Sequence, residues 1–225
     1  DLIFIAVPLG AMAATFAAIR DHLAPGAILT DGGSVKGSVV EDARQVFGRL
    51  PPRFVPGHPI AGTEQSGVDA SFAELYRNRR VILTPLPDTD PAATAQVQAM
   101  WEACGAEVTQ MAVDHHDEVL AATSHLPHLL AYGLVDSLAR LRENDEIFRY
   151  AAGGFRDFTR IASSHPIMWR DICLANRQAL GQMLARFQRE LAELAAHVER
   201  GDGGALLEVF ERAKAARDRY VGRQG

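Results

Sequence analysis

The sequence predicts an α/β half followed by an all-α half. Up to Val113, short β-rich runs alternate with helix-patterned segments; from His115 to Tyr220 the strand-like runs disappear and nearly everything is helix-patterned. The hydrophobic content, 48% of 225 residues, is ample for a buried core in a chain long for one domain and comfortable for two small ones. The division falls between residues 1–113 and 114–225.

In the first half, "LIFIAVP" (Leu2 to Pro8), "AILTD" (Ala27 to Asp31), "RFVPG" (Arg53 to Gly57), "RVILTP" (Arg80 to Pro85) and "AEVTQM" (Ala106 to Met111) each read as a strand. The first and fourth are near-continuous apolar runs, the pattern of strands covered on both faces. Helices are expected over Ala11 to Leu23, Ser38 to Leu50 and Pro91 to Cys104, the last with a proline near its start and Gly105 past its end. Strand, helix and strand in repetition imply a parallel sheet with crossovers. No strand is followed by G-x-G-x-x-G, and the sheet begins abruptly at Asp1-Leu2, so an amino-terminal βαβ unit is expected to be missing.

In the second half, Leu180, Met183, Leu184, Phe187, Leu191, Leu194, Ala195 and Val198 form an i, i+3, i+4, i+7 stripe that ends before Gly201. Such a stripe packs either within its own helical domain or against a partner subunit.

The net charge of −5, with both signs interspersed, leaves no basic stripe for nucleic acid and no polybasic run for anionic lipid. "LPHLLAYGLV" falls far short of the ~20 residues a bilayer needs, and no signal peptide is visible. Cys104 and Cys173 lie far apart, which suggests a reducing, cytoplasmic compartment. Lys36 and Lys214 are the only lysines, a composition read as coding bias with little functional content.

Ligands in open α/β sheets bind beyond the carboxyl ends of the strands. There, Val7-Pro8 and the paired Gly32 and Gly33 are either ordinary turns or a close approach for a flat or anionic ligand. Ser34 either caps the next helix or, if Ser38 and Glu41 form the capping box S-V-V-E, leaves its hydroxyl to a ligand. His58, in "GHPIAGTE", is kept extended by Pro59 in what reads as a loop. It is either a solvated turn residue or a base, with an ordinary pKa near ~6.5, for a substrate hydroxyl; Thr63 and Glu64 stand beside it. His125 and His128 share a helix face interrupted by Pro127, with Asp117 earlier on the same segment. With His115 and His116 they would make a metal cluster, but no H-E-x-x-H and no companion cysteine accompany them, so no metal is assigned. Arg156 and Arg160, four apart after Gly153-Gly154, are either solvated surface residues or a carboxylate clamp.

"AVPLG", "DGGSVKG", "GHPIAGTEQSG", "TSHLPHLLAYGL" and "GGFRDFTRIASSHPIMWRDI", in that order, resemble the prephenate/arogenate (cyclohexadienyl) dehydrogenases of tyrosine biosynthesis as far as about Asn176. The resemblance implies a Rossmann-type dinucleotide-binding domain and an all-helical dimerisation domain, with NAD or NADP as hydride acceptor. The implied reaction is oxidative decarboxylation of prephenate or arogenate, driven by aromatisation, in a homodimer. It makes His58 the catalytic histidine on the substrate hydroxyl and Ser34 the residue that orients it beside the nicotinamide, with Val7, Pro8 and Gly33 at the cofactor. Thr63 and Glu64 match the pocket mouth, and Ser124, His125, His128 and Asp117 the helical side of the cleft. Arg160 matches the substrate-carboxylate arginine, and Arg156 falls where some members have lysine. The alternatives are another hydroxy-acid dehydrogenase with a helical second domain, which would need a lysine base in that domain, where none precedes Lys214, and a His-cluster metal hydrolase.

Overall fold

A computed structural model describes residues 1–62, 68–142 and 144–221. The chain divides into two compact units, Asp1–Leu180 and Gly181–Gly225.

The first unit opens with three parallel strands in the order β1 (Leu2–Ile5), β2 (Ile28–Asp31) and β3 (Phe54–Val55). They are linked through α1 (Met12–Arg20) and α2 (Lys36–Phe47). A second set, β4 (Gly57–Pro59), β5 (Arg80–Leu83) and β6 (Glu107–Gln110), carries the crossover helix α3 (Pro91–Ala103). Every residue of β2 is buried, and its neighbours Ile28 and Leu29 belong to different apolar clusters. Leu29 packs with Phe16, Val39 and Phe54 on the α1 and α2 side; Ile28 packs with Val81, Val97 and Trp101 beneath α3. An apolar strand covered on both faces is what a parallel α/β sheet demands.

The expected single strand at "RFVPG" divides at Pro56, and β4 runs antiparallel to β5, pairing His58 with Ile82. Proline has no N–H for a ladder, while its carbonyl still accepts from Thr84 N at 2.8 Å, so the chain turns there. His58 therefore stands on a strand and not in a loop. Helix α2 also departs from expectation, starting at Lys36 instead of Ser38. The Ser38 hydroxyl donates to Val35 O at 3.1 Å, so the S-V-V-E capping box does not form. Helix α3 follows its sequence signals: Asp90 caps it, accepting from Ala92 N at 2.8 Å, and Gly105 turns away at φ 81°.

Beyond β6 the regular elements among the described residues are helical: α4 (Val113–Leu120), α5 (Leu126–Ala139), α6 (Asn144–Arg149), α7 (Gly153–Thr159) and α8 (Pro166–Ala175). Between α4 and α5 the chain makes a π turn, Ala121–His125, in which Leu126 N donates to Ala121 O. Pro127 cannot donate to the carbonyl four residues before it, and the wider turn absorbs that loss without breaking the helix. Helix α9 (Arg177–Glu199) starts in the first unit, where Leu180 is buried. The second unit contains the rest of α9 and α10 (Gly203–Val221). There the predicted stripe is half-buried at Met183, Leu184, Phe187 and Leu194, while Leu191 and Val198 stay 50% and 65% exposed.

Candidate active site

Asp31, at the carboxyl end of β2, and Lys36, at the start of α2, are both fully buried and form an ion pair. Lys36 Nζ also donates to Gly57 O, while the Asp31 carboxylate accepts from Gly33 N at 2.8 Å and Gly57 N at 3.2 Å. Burial lowers the Lys36 pKa against the opposing pull of Asp31. Two buried charges are tolerable only when each is paired and hydrogen-bonded, as here. The lysine that composition assigns to coding bias is thus an anchor: Asp31 accepts from the amide of Gly57, the residue before His58, and Lys36 donates to its carbonyl.

His58, 9% exposed, places Nδ1 at 2.9 Å from Nε2 of His116, with the ring planes at 63°. His116, fully buried on α4, places its own Nδ1 at 2.8 Å from Asp117 Oδ1. That carboxylate also accepts from two backbone amides: Lys36 N donates to Oδ1 and Gly37 N to Oδ2, each at 2.8 Å. The opening amides of α2 are therefore capped by a side chain 80 or more residues away, where a negative charge also meets the positive end of the helix dipole. This replaces the local cap expected at Ser38. Gly37 is required by the approach: a Cβ there would stand 2.8 Å from Asp117 Oδ2. Burial, then the charge of Lys36, then His116 and His125 hold the His58 pKa well below its ordinary value.

The π turn delivers His125, fully buried, to Asn176 at the end of α8. Asn176 Nδ2 donates to Asp117 O at 2.8 Å and lies 3.0 Å from His125 Nδ1. Because a carbonyl oxygen only accepts, that atom is the amide nitrogen; it donates to His125 Nδ1 and leaves the imidazole proton on Nε2. His125 Nε2 is buried with no hydrogen-bond partner. Burial lowers the His125 pKa to about 4, so the ring is neutral and presents one unsatisfied N–H. His128 stacks on Trp169 at 3.5 Å and 17°, and its Nδ1 donates to Ser124 O at 2.9 Å. Burial lowers its pKa too.

Ser34 is half-buried in the turn between β2 and α2 and hydrogen-bonds to no described residue. Val7 is half-buried and Pro8 exposed past β1. Gly33 is buried, and a Cβ on it would meet Val39 Cγ2 at 2.8 Å and Asp31 Oδ2 at 3.0 Å, so glycine there serves the packing of the turn itself. Arg156 and Arg160 are exposed, on α7 and just past its end. Thr63 and Glu64 lie outside the described residues. The structure thus joins His58, Asp117 and His125 through His116 and Asn176, whereas no hydrogen bond or ion pair between described residues joins Ser34 or Arg156 to them. Among the described residues no three His, Cys, Asp or Glu side chains are grouped to hold a metal ion. His115 leans toward Glu118 on the exposed face, while His116 commits both nitrogens inward.

Sequence reasoning missed Asp31, Lys36 and Asn176, and placed His116 only in a discarded metal cluster. One signal was available: a charged residue closing the apolar run "AILTD", followed by one of the two lysines in an arginine-rich chain.

Residues 1–110 match the family model "Prephenate dehydrogenase, nucleotide-binding domain", and residues 112–212 match "Prephenate dehydrogenase, dimerization domain". The chain is 42% identical over 220 residues to the cyclohexadienyl dehydrogenase of Zymomonas mobilis, covering 96% of this chain and 74% of that protein. It is 40% identical over 197 residues to the prephenate dehydrogenase of Bacillus subtilis, covering 85% of this chain and 52% of that protein, about half its length. The crystal structure of prephenate dehydrogenase from Aquifex aeolicus in complex with hydroxyphenyl propionate and NAD+ superposes with a TM-score of 0.90 at 39% identity, covering 98% of this chain and 76% of that one. With both halves matched in order, the chain belongs to the prephenate dehydrogenase family.

Proposed function

We propose that this chain performs the substrate-binding and proton-removing work of an NAD-linked oxidative decarboxylation of prephenate, with arogenate as the alternative ring substrate. The observation that carries the reading is His58: a buried imidazole, kept neutral by its surroundings and tied through His116 to a carboxylate fixed at a helix terminus. Such a group removes a hydroxyl proton near neutral pH. The relatives' names supply the substrate class, and the Aquifex complex supports NAD as the cofactor.

The carboxyl ends of β1 and β2 fit a nicotinamide, since Val7, Pro8, Gly32, Gly33 and Ser34 offer no long side chain to obstruct a flat ring and Ser34 offers an unpartnered hydroxyl. A cofactor bound there supplies the hydride acceptor. His58 takes the proton of the ring hydroxyl as the ring carboxylate departs as carbon dioxide, and Ser34 orients that hydroxyl. His125, with Ser124 and His128, belongs to the helical side of the cleft. Arg160, with Arg156, holds the carboxylates, and the resemblance to the family assigns Thr63 and Glu64 to substrate binding as well. Asp117 acts by positioning, because its carboxylate is occupied by His116 and two amides of α2.

Residues 1–113 serve as the nucleotide-binding part and 114–225 as the helical part. The uncovered apolar residues Leu191, Val198, Leu207 and Phe210 support pairing with a second copy. The free thiols of Cys104 and Cys173 support a cytoplasmic placement. Among the described residues no helix is long and apolar enough to cross a membrane.

The test incubates the chain with prephenate or arogenate and NAD+ or NADP+ and follows reduced-cofactor absorbance, while calorimetry measures binding of hydroxyphenyl propionate. Turnover with prephenate and NAD+ is expected. No turnover with any pair, together with no binding of the ring compound, would overturn the reading.

A further inference from the structure

We infer that His116 is a positioning residue that, oriented by Asp117, fixes the tautomer of His58 so that Nε2 of His58 is the atom that takes the substrate proton. The inference rests on the dehydrogenase reading for the substrate, but its geometry stands without it. Asp117 Oδ1 receives Lys36 N, and its carboxylate, as an acceptor, requires the proton of His116 on Nδ1, 2.8 Å away. The Nε2 of neutral His116 is then a lone pair. Facing it at 2.9 Å, Nδ1 of His58 must donate, so the proton of neutral His58 sits on Nδ1 and the lone pair on Nε2.

With both imidazoles neutral, the chain of acceptors and donors has one consistent assignment, because its far end is pinned. Asp117 cannot turn away without uncapping Lys36 N and Gly37 N, and its carbonyl is held by Asn176. His116 is fully buried, so no water competes for its Nε2. On proton uptake, the O–H bond of the substrate breaks, an N–H bond forms at His58 Nε2, and the positive charge of the imidazolium faces His116 with the Asp117 carboxylate behind it. His116 touches neither substrate nor cofactor in this scheme. It decides which nitrogen of His58 is reactive, the task that an orienting partner performs for a catalytic histidine in general.

The experiment is ¹⁵N-histidine NMR on the whole 225-residue chain without ligands, with the His58 signals assigned by their loss in His58→Asn. Expected at neutral pH is a protonated Nδ1 and a bare Nε2. His116→Phe removes the acceptor and should let His58 populate the opposite tautomer, whereas His116→Gln, which keeps an acceptor oxygen, should restore the original one. In turnover assays His116→Phe should lower kcat about 10²-fold, the lower end of what a positioned base contributes, with KM within about twofold and most of the loss recovered in His116→Gln. A wild-type His58 carrying its proton on Nε2 overturns the inference, even if the Phe variant does not fold. An unchanged tautomer in folded His116→Phe overturns it too. The NMR readout needs no substrate, so absence of turnover with the expected tautomer would count against the dehydrogenase reading alone.

Discussion

The amide of Gly37 donates to Asp117 Oδ2 at 2.8 Å, and a Cβ on residue 37 would stand at that same 2.8 Å from that same oxygen. Within a helix, Gly→Ala is ordinarily worth close to ~1 kcal/mol in favour of alanine. Here the sign reverses. Gly37→Ala pushes away the carboxylate that caps α2 and should destabilise the chain by about 1–2 kcal/mol, read as a lower urea midpoint. A midpoint raised by the substitution would show that Asp117 relaxes freely.

Asp117→Asn preserves size but turns an acceptor-only group into one with a donor nitrogen. Lys36 N, Gly37 N and His116 Nδ1 then compete for one oxygen. A loss of about 1–3 kcal/mol is expected from an orphaned amide and a lost helix-terminal charge. Amide exchange at Lys36 and Gly37 should quicken selectively; protection there equal to the parent's would contradict the trans cap.

Lys36→Met leaves the Asp31 carboxylate buried without its counter-charge and should cost about 3–5 kcal/mol. Adding Asp31→Leu recovers only part of it, because Gly33 N and Gly57 N lose their acceptor. Full recovery in the double variant, read by chemical denaturation, would mean that those two amide bonds contribute nothing.

Stability should fall on the acid side of neutrality. His125 titrates at about 4 in the fold, and His58 and His128 also lie below the ordinary imidazole value. Below a pH of about 6.5 the unfolded chain binds protons that the folded chain refuses. The stability they confer is whole above that pH and declines as pH drops; for His125 the decline runs down toward about 4, with a slope approaching about 1.4 kcal/mol per pH unit. Urea titrations across this range test it, and His125→Asn should make the slope shallower by one proton. The acid limb of kcat/KM should likewise fall below the usual imidazole midpoint.

Two substitutions separate chemistry from binding. His58→Asn should reduce kcat by roughly 10²–10⁴-fold with KM nearly unchanged. Arg160→Gln should instead raise KM; a pure kcat loss would remove it from substrate binding.

Local pattern revealed the strands, helix α3 and the order of motifs, because hydrophobic alternation and caps such as Asp90 act over a few residues. It misplaced the start of α2 because the atoms that satisfy Lys36 N and Gly37 N belong to Asp117, on another helix. Ser38 and Glu41 satisfy every local rule for a cap, yet a distant carboxylate displaces them. His58 was legible as a candidate base, but its partner was not: His116 is one of two adjacent histidines, and only the docking of α4 decides which faces inward. The antiparallel β4 was hidden likewise, since Pro56 signals an interruption without fixing the direction of the next strand.

The bond from His116 to His58 links the two stretches that match separate family models. His58, the base proposed above, lies in the stretch matched by the nucleotide-binding model, but the groups bonded to it and to the start of α2 come from the helical one. Neither stretch can therefore be shuffled onto a new companion as an interchangeable module. A chimera that grafts residues 1–110 onto an unrelated partner would inherit a histidine of the right identity with an unfixed proton, which ties the inheritance of the two pieces together.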